Sequence, residues 1–155
     1  MADVLSPTQR SYCMSQIRSK DTKPEILVRR GLFALGFRFR LHKRNLPGSP
    51  DLVFPKYCAV VFVHGCLWHG HACPLFRWPA TNASFWYAKI VRNRETDKAN
   101  VARLREAGWR VFTVWECALR GPGRRDPERL LQMTATWLRS RRNLGEVTCK
   151  IRSIR

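Results

Sequence analysis

The stretch DLVFPKYCAVVFVH, Asp51 to His64, sets the plan of this 155-residue chain. Two apolar runs, DLVF and CAVVFV, stand on either side of Pro55-Lys56-Tyr57. Runs joined by so short a connection predict a hairpin, and their unbroken apolarity predicts a sheet covered on both faces. Pairing Phe54 with Ala59 sets Asp51 opposite Phe62, beside Val63 and His64. A slip of one or two residues leaves the same result: a carboxylate meets His64 at one sheet edge. Asp51 also suits a plainer role, as a turn residue after Gly48-Ser49-Pro50.

Around the hairpin, helix and strand signals alternate. Ser6-Pro7-Thr8 starts a short helix running to about Ile17. Asp21 or Thr22 caps a second helix, with Pro24 in its first turn, Glu25 placed well for the helix dipole and Gly36 as its stop. Phe37 to Leu41 reads as a strand, followed by a turn-rich basic loop. Ser84 to Ala107 reads as helical with a break near Asn93, and Gly108 ends it. WRVFTVW, Trp109 to Trp115, is a buried strand. Asp126 to Arg142 is a last amphipathic helix, and Arg139 to Arg155 a basic, weakly structured tail. The order predicts an α/β fold with a central mixed sheet flanked by helices.

Charge narrows the partners. Twenty-nine Lys and Arg against eleven Asp and Glu give +18 and a pI near 11.0. That field attracts polyanions, meaning nucleic acid or an anionic membrane surface. The N-terminus has no apolar run of the secretory kind, and Cys58–Val63 is too short to span a bilayer. The expectation is a soluble, intracellular protein in a reducing compartment, where cysteines serve metals more often than disulfides.

HGCLWHGHAC, His64 to Cys73, follows the hairpin directly. Cys66, His71 and Cys73 offer three ligands in one loop, and a tetrahedral zinc needs a fourth. Cys117 suits, because it lies just past the strand ending at Trp115, where a parallel neighbour would end beside Cys66. The bland alternative is a set of unrelated buried thiols. Cys13, Cys58 and Cys149 read as ordinary side chains. Oxygen ligation at Asp51 is of the kind Mg²⁺ accepts, with nearby imidazoles to hold or activate water. Trp86, Trp109, Trp115 and Trp137 read as core. Arg38, Arg40, Lys43, Arg44, Lys89, Arg92 and Arg94 would track phosphates.

SPDLVF, VVFVHGCLWHGHAC, FWYAKI, RLREAGWRVFTVWECAL and the KDTKPE helix start together resemble the very-short-patch-repair (Vsr) endonucleases, a variant of the PD-(D/E)xK superfamily. The resemblance runs from about Ser11 to Leu138. It implies a restriction-endonuclease-like fold and nicking 5′ of the thymine in T:G mismatches left by 5-methylcytosine deamination. It also implies catalytic Mg²⁺ on Asp51 and the backbone carbonyl of Val63, His69 as general base, and His64 and Glu25 arranging metal-bound waters. Structural Zn²⁺ would sit on Cys66, His71, Cys73 and Cys117, while Met14, Leu67 and Trp68 would wedge into the base stack.

Two departures stand out. The superfamily's E-x-K pair is missing, the strand reading Phe62-Val63-His64 instead. Position 67 is Leu where better-known members carry an aromatic. The expected organisation is a DNA-contacting arm over 1–20, a nuclease domain over 21–142 and a basic tail over 143–155. A monomer in the bacterial cytoplasm, associated with the nucleoid, is expected, with duplex DNA and mismatch-repair proteins as partners and no membrane. Two alternatives stay open: a zinc-stabilised DNA-binding module without catalysis, and a restriction-type nuclease acting on matched sites.

Overall fold

A computed structural model describes residues 5–15 and 20–150. Helix α1, Pro7–Ser15, opens on a capping box: Gln9 N–H donates to Ser6 Oγ, and Ser6 N–H donates back to the Gln9 side chain. Helix α2, Lys23–Ala34, is capped by Thr22, whose hydroxyl accepts from Glu25 N–H, and Pro24 lies in its first turn. Gly36 adopts φ 95°, which lets Phe37 N–H reach back to Leu32 O. Because that amide closes the helix, it is not available to a sheet ladder. The strand expected over Phe37–Leu41 therefore shrinks to β1, Arg40–Leu41, and Phe37 turns into the core.

The hairpin forms in the expected register. Strand β2, Leu52–Phe54, and β3, Ala59–His64, pair antiparallel as Phe54–Ala59, Val53–Val60 and Leu52–Val61, joined by a 3₁₀ turn over Pro55–Tyr57. Helix α3, Ala83–Glu106, then runs for 24 residues without a break. Asn93 was the expected interruption, but a lone Asn without Gly or Pro costs a helix well under about 1 kcal/mol. Here its side-chain amide donates to Trp68 O at 2.8 Å. Strand β4, Arg110–Trp115, lies parallel to β3 from Ala59–Arg110 to His64–Trp115. Helix α4, Pro127–Arg139, is capped by Asp126.

The C-terminal segment corrects the sequence reading. Leu144–Val147 is not weakly structured; it forms β5, parallel to β4 at the sheet edge. Only Leu144 and Val147 are strongly apolar in it, so its order comes from ladder bonds to β4 rather than from composition. The five strands lie in chain order, antiparallel through β3 and parallel beyond. Side chains alternate between the faces. Leu52, Phe54, Val61 and Val114 pack with Leu32 of α2 and Leu130 and Trp137 of α4. Val53, Val60, Phe62 and Val111 pack with Leu104 of α3. Both faces are covered. Among the described residues, no helix is long and apolar enough to cross a membrane.

Candidate active site and metal centre

Strands β3 and β4 end level with one another, His64 beside Trp115. Two residues further along each chain segment, Cys66 and Cys117 are buried together. The loop after β3 folds back so that His71 N–H reaches Cys66 O at 3.0 Å. His71 Nδ1 then lies 3.7 Å from Cys66 Sγ and 3.6 Å from Cys117 Sγ. With Cys73 Sγ, the four ligand atoms all lie within 4.8 Å of one another. A tetrahedral ion holding sulfur at about 2.3 Å and nitrogen at about 2.0–2.1 Å needs S···N separations near 3.6 Å. Burial pushes the Cys66 thiol well up and the Cys117 thiol to about 12. Thiols in that setting stay protonated until a bound cation displaces their protons into solvent. The donor set fits zinc.

Packing holds this loop closely. Gly70 has φ 58°, and a Cβ there would come within 2.7 Å of Ile90 Cγ2. The His71 ring stacks on Trp115, with centroids 4.0 Å apart and planes at 9°. Trp115, read as core, is thus half-buried against the ligand loop. Cys149, read as an ordinary side chain, is buried beside Cys66 and Cys117, and its N–H donates to Cys117 Sγ at 3.4 Å.

On the other side of the β3 terminus lies a cavity of about 450 Å³, lined among others by His42, Asp51, Val63, His64, His69 and Asp97. Extending the hairpin register puts Asp51 level with Phe62. There its Oδ2 accepts Val63 N–H at 2.7 Å. Burial raises Asp51 to about 6, Val63 N–H works against that rise, and nearby Glu25 adds to it. A carboxylate so placed is short of positive charge. Oxygen donors facing an open cavity fit a hydrated Mg²⁺.

His69 lies opposite a partner that the sequence reading missed. Its Nδ1 meets Asp97 Oδ2 at 2.5 Å, and its ring stacks on His64 at 3.8 Å with planes 6° apart. Burial, with His69 alongside, pushes His64 down to about 3 although Asp97 opposes it, so His64 is neutral at ordinary pH. Asp97 was findable. It follows Ile90 by seven residues and Asn93 by four, on the helix face turned toward the sheet.

Glu25 is 2% exposed, and His42, also missed, takes its Oε1 on Nε2. The remaining expected residues lie as follows. Leu67 and Trp68 are half-buried and belong to neither sheet core. The Trp68 ring is 5.4 Å from Trp86, and Lys89 Nζ sits 5.3 Å over it. Trp86, read as core, is therefore part of this surface cluster, whereas Trp137 and Trp109 do pack into the cores. Met14 lies in α1, but its side chain falls outside the described residues. Arg38, Arg40, Arg44, Lys89, Arg92 and Arg94 are exposed, and Lys43 is half-buried.

Comparison with known proteins gives one answer. The profile of the family described as DNA mismatch endonuclease Vsr matches residues 2–75. The chain is 44% identical over 138 residues to the DNA mismatch endonuclease Vsr of Escherichia coli (strain K12), covering 89% of this chain and 88% of that protein. It is 50% identical over 119 residues to the Type II nicking enzyme V.XorIIP of Xanthomonas oryzae pv. oryzae, covering 77% and 88% of the two chains. With V.NmeAIP of Neisseria meningitidis, also a Type II nicking enzyme, identity is 46% over 120 residues, 77% of this chain and 86% of the other. With this similarity extending over most of the fold just described, the chain belongs to the Vsr family of DNA mismatch endonucleases.

Proposed function

We propose that this enzyme uses Mg²⁺ to nick one DNA strand 5′ of the thymine in T:G mismatches, the lesion that follows deamination of 5-methylcytosine. The observation that carries the reading is the cavity in which Asp51 faces an imidazole held by a second carboxylate, His69 on Asp97. When bound at Asp51 and the Val63 carbonyl, Mg²⁺ neutralises phosphate charge and lowers the pKa of a coordinated water. His69 accepts the proton of the attacking water on Nε2, because Asp97 fixes the proton on Nδ1. Water oxygen bonds to phosphorus as the bond to the 3′ oxygen breaks, leaving a 5′-phosphate and a 3′ oxyanion that takes a proton from a solvent water to become the 3′-hydroxyl. His64, neutral and stacked on His69, and Glu25, whose charge bears on Asp51, arrange the waters of the metal.

Zn²⁺ on Cys66, His71, Cys73 and Cys117 takes no part in hydrolysis. It ties the loop so that His64 and His69 stay at the cavity while Leu67 and Trp68, with Met14, enter the base stack. A wobble pair is cheaper to unstack than a matched one, so such a wedge converts weak stacking into selectivity. The protein works as a monomer in the bacterial cytoplasm on nucleoid DNA, alongside mismatch-repair proteins. The Type II nicking enzymes among its relatives favour a second reading, nicking at matched sites. Short end-labelled duplexes, matched and with each mismatch, decide between them. The first reading requires a single nick 5′ of the mismatched T, only with Mg²⁺ present; equal nicking of matched duplex overturns it.

A further inference from the structure

Glu25 does not line the Asp51 cavity; His42 does. The buried Glu25 carboxylate meets His42 Nε2, while the His42 backbone N–H donates to Asp51 O at 3.2 Å. One residue thus touches both acidic residues of the site, Glu25 through its ring and Asp51 through its main chain. His42 also holds φ 45°, a left-handed conformation that a non-glycine side chain adopts only under constraint from its surroundings. The ligand atoms of Asp21, Glu25 and His42 gather within 4.8 Å. That group already holds a cation, however: Arg29 NH1 is 2.6 Å from Asp21 Oδ1 and 3.7 Å from Glu25 Oε1. It is a support, not another metal site.

Hydrogen-bond chemistry then assigns the ring its role. An ionised carboxylate only accepts, so a ring carrying a single proton donates it from Nε2 to Glu25 and presents Nδ1 as an acceptor. This repeats the His69–Asp97 pair, again an imidazole on the cavity wall fixed by an acid beside it. We infer that His42 is a positioning residue through which Glu25 acts, its Nδ1 accepting a hydrogen bond from a water of the metal at Asp51. The inference rests on the Mg²⁺-dependent reading above and deepens it, because it moves the direct contact from Glu25 to His42.

Outer-sphere partners of this kind change metal affinity by about 10–100-fold when lost. The test uses the zinc-loaded full chain and three variants, His42→Gln, His42→Asn and Glu25→Gln, together with the Glu25→Gln/His42→Asn double variant. Gln carries an amide N–H at the Nε2 position and an oxygen to accept from water; Asn is one bond too short to reach Glu25. Mn²⁺ binding to DNA-free protein is followed by electron paramagnetic resonance, and the Mg²⁺ midpoint for nicking is measured in parallel. Melting temperature and zinc content serve as controls.

His42→Asn should weaken Mn²⁺ binding and raise the Mg²⁺ midpoint by about 10–100-fold. His42→Gln should stay within about threefold of wild type. The double variant should be no worse than His42→Asn, because the two residues act in series. Losses that multiply in the double variant overturn the inference by returning the direct contact to Glu25. An unchanged His42→Asn, or a loss in proportion to a fall in melting temperature that Gln does not rescue, overturns it as well. In those cases wild-type metal dependence stands and the proposed function survives. A wild type that binds no Mn²⁺ and nicks without divalent metal removes both.

Discussion

Two sites share the end of β3 and are built in opposite ways. The sulfur site is closed: Cys66 and Cys117 are each 1% exposed, and three of its four ligands come from one short loop. The Asp51 site is open, a carboxylate and imidazoles around a cavity. Four protein ligands and no room for water make a structural ion; few protein ligands and an open position make a catalytic one. The difference teaches that the protein separates holding from reacting. Each donor set suits its own kind of ion, and the few residues between His64 and His71 join the two sites.

If that division is right, damage on each side has its own signature, and the sharpest is at Asp51. Asp51→Asn should abolish nicking while leaving DNA affinity and zinc content in place; activity within tenfold of wild type in Mg²⁺ would remove Asp51 from the mechanism. Next is the imidazole with its acid. His69→Ala should lower the rate by about 10²–10⁴-fold, the usual cost of removing a general base. Asp97→Asn should cost a substantial part of that, since the amide no longer fixes the ring. An Asp97→Asn enzyme with wild-type single-turnover rate would leave His69 without an orienting partner.

Opposite damage comes from Cys117→Ser. Zinc per chain should fall below one, and melting temperature should fall with it, since a metal that binds only the folded state stabilises it. Full-strength zinc binding in that variant would break the contrast between the two sites.

Smaller effects sharpen the division further. Trp68→Ala should weaken mismatch binding by about ten- to a hundredfold, from about 1–3 kcal/mol of lost stacking, with matched duplex little changed. Equal loss on both duplexes, or unfolding, would return Trp68 to a packing role against Trp86. The smallest effect concerns stability without metal. Asp51 is raised by burial to about 6 from 3.8, so the folded state keeps its proton to higher pH than the unfolded one. Its contribution is fully present below the unfolded value and is lost as pH rises through 6. Metal-free Asp51→Asn should therefore be more stable than wild type at pH 8, by about 1–3 kcal/mol, with the gap closing near pH 4. Denaturant titrations at the two pH values check this.

Local pattern was enough for much of the molecule. The two unbroken apolar runs on either side of Pro55-Lys56-Tyr57 determined the hairpin and its register, and the register carried Asp51 to Val63 because strand partners advance in fixed steps. Cys117 was legible for the same reason: parallel strands that end level bring the residues just beyond them together. What sequence alone could not decide were features set by distant partners. Leu144–Val147 is a strand only because β4 offers an unpaired edge. Asn93, no helix breaker by itself, finds its partner in the distant loop, where Trp68 O accepts its side-chain amide. Spacing along α3 marks the face that carries Asp97, but Asp97 and His42 acquire their roles only when α3 and the β1–β2 connection meet at the cavity. Side chains far apart in the chain meet there by packing, and no short-range spacing records packing.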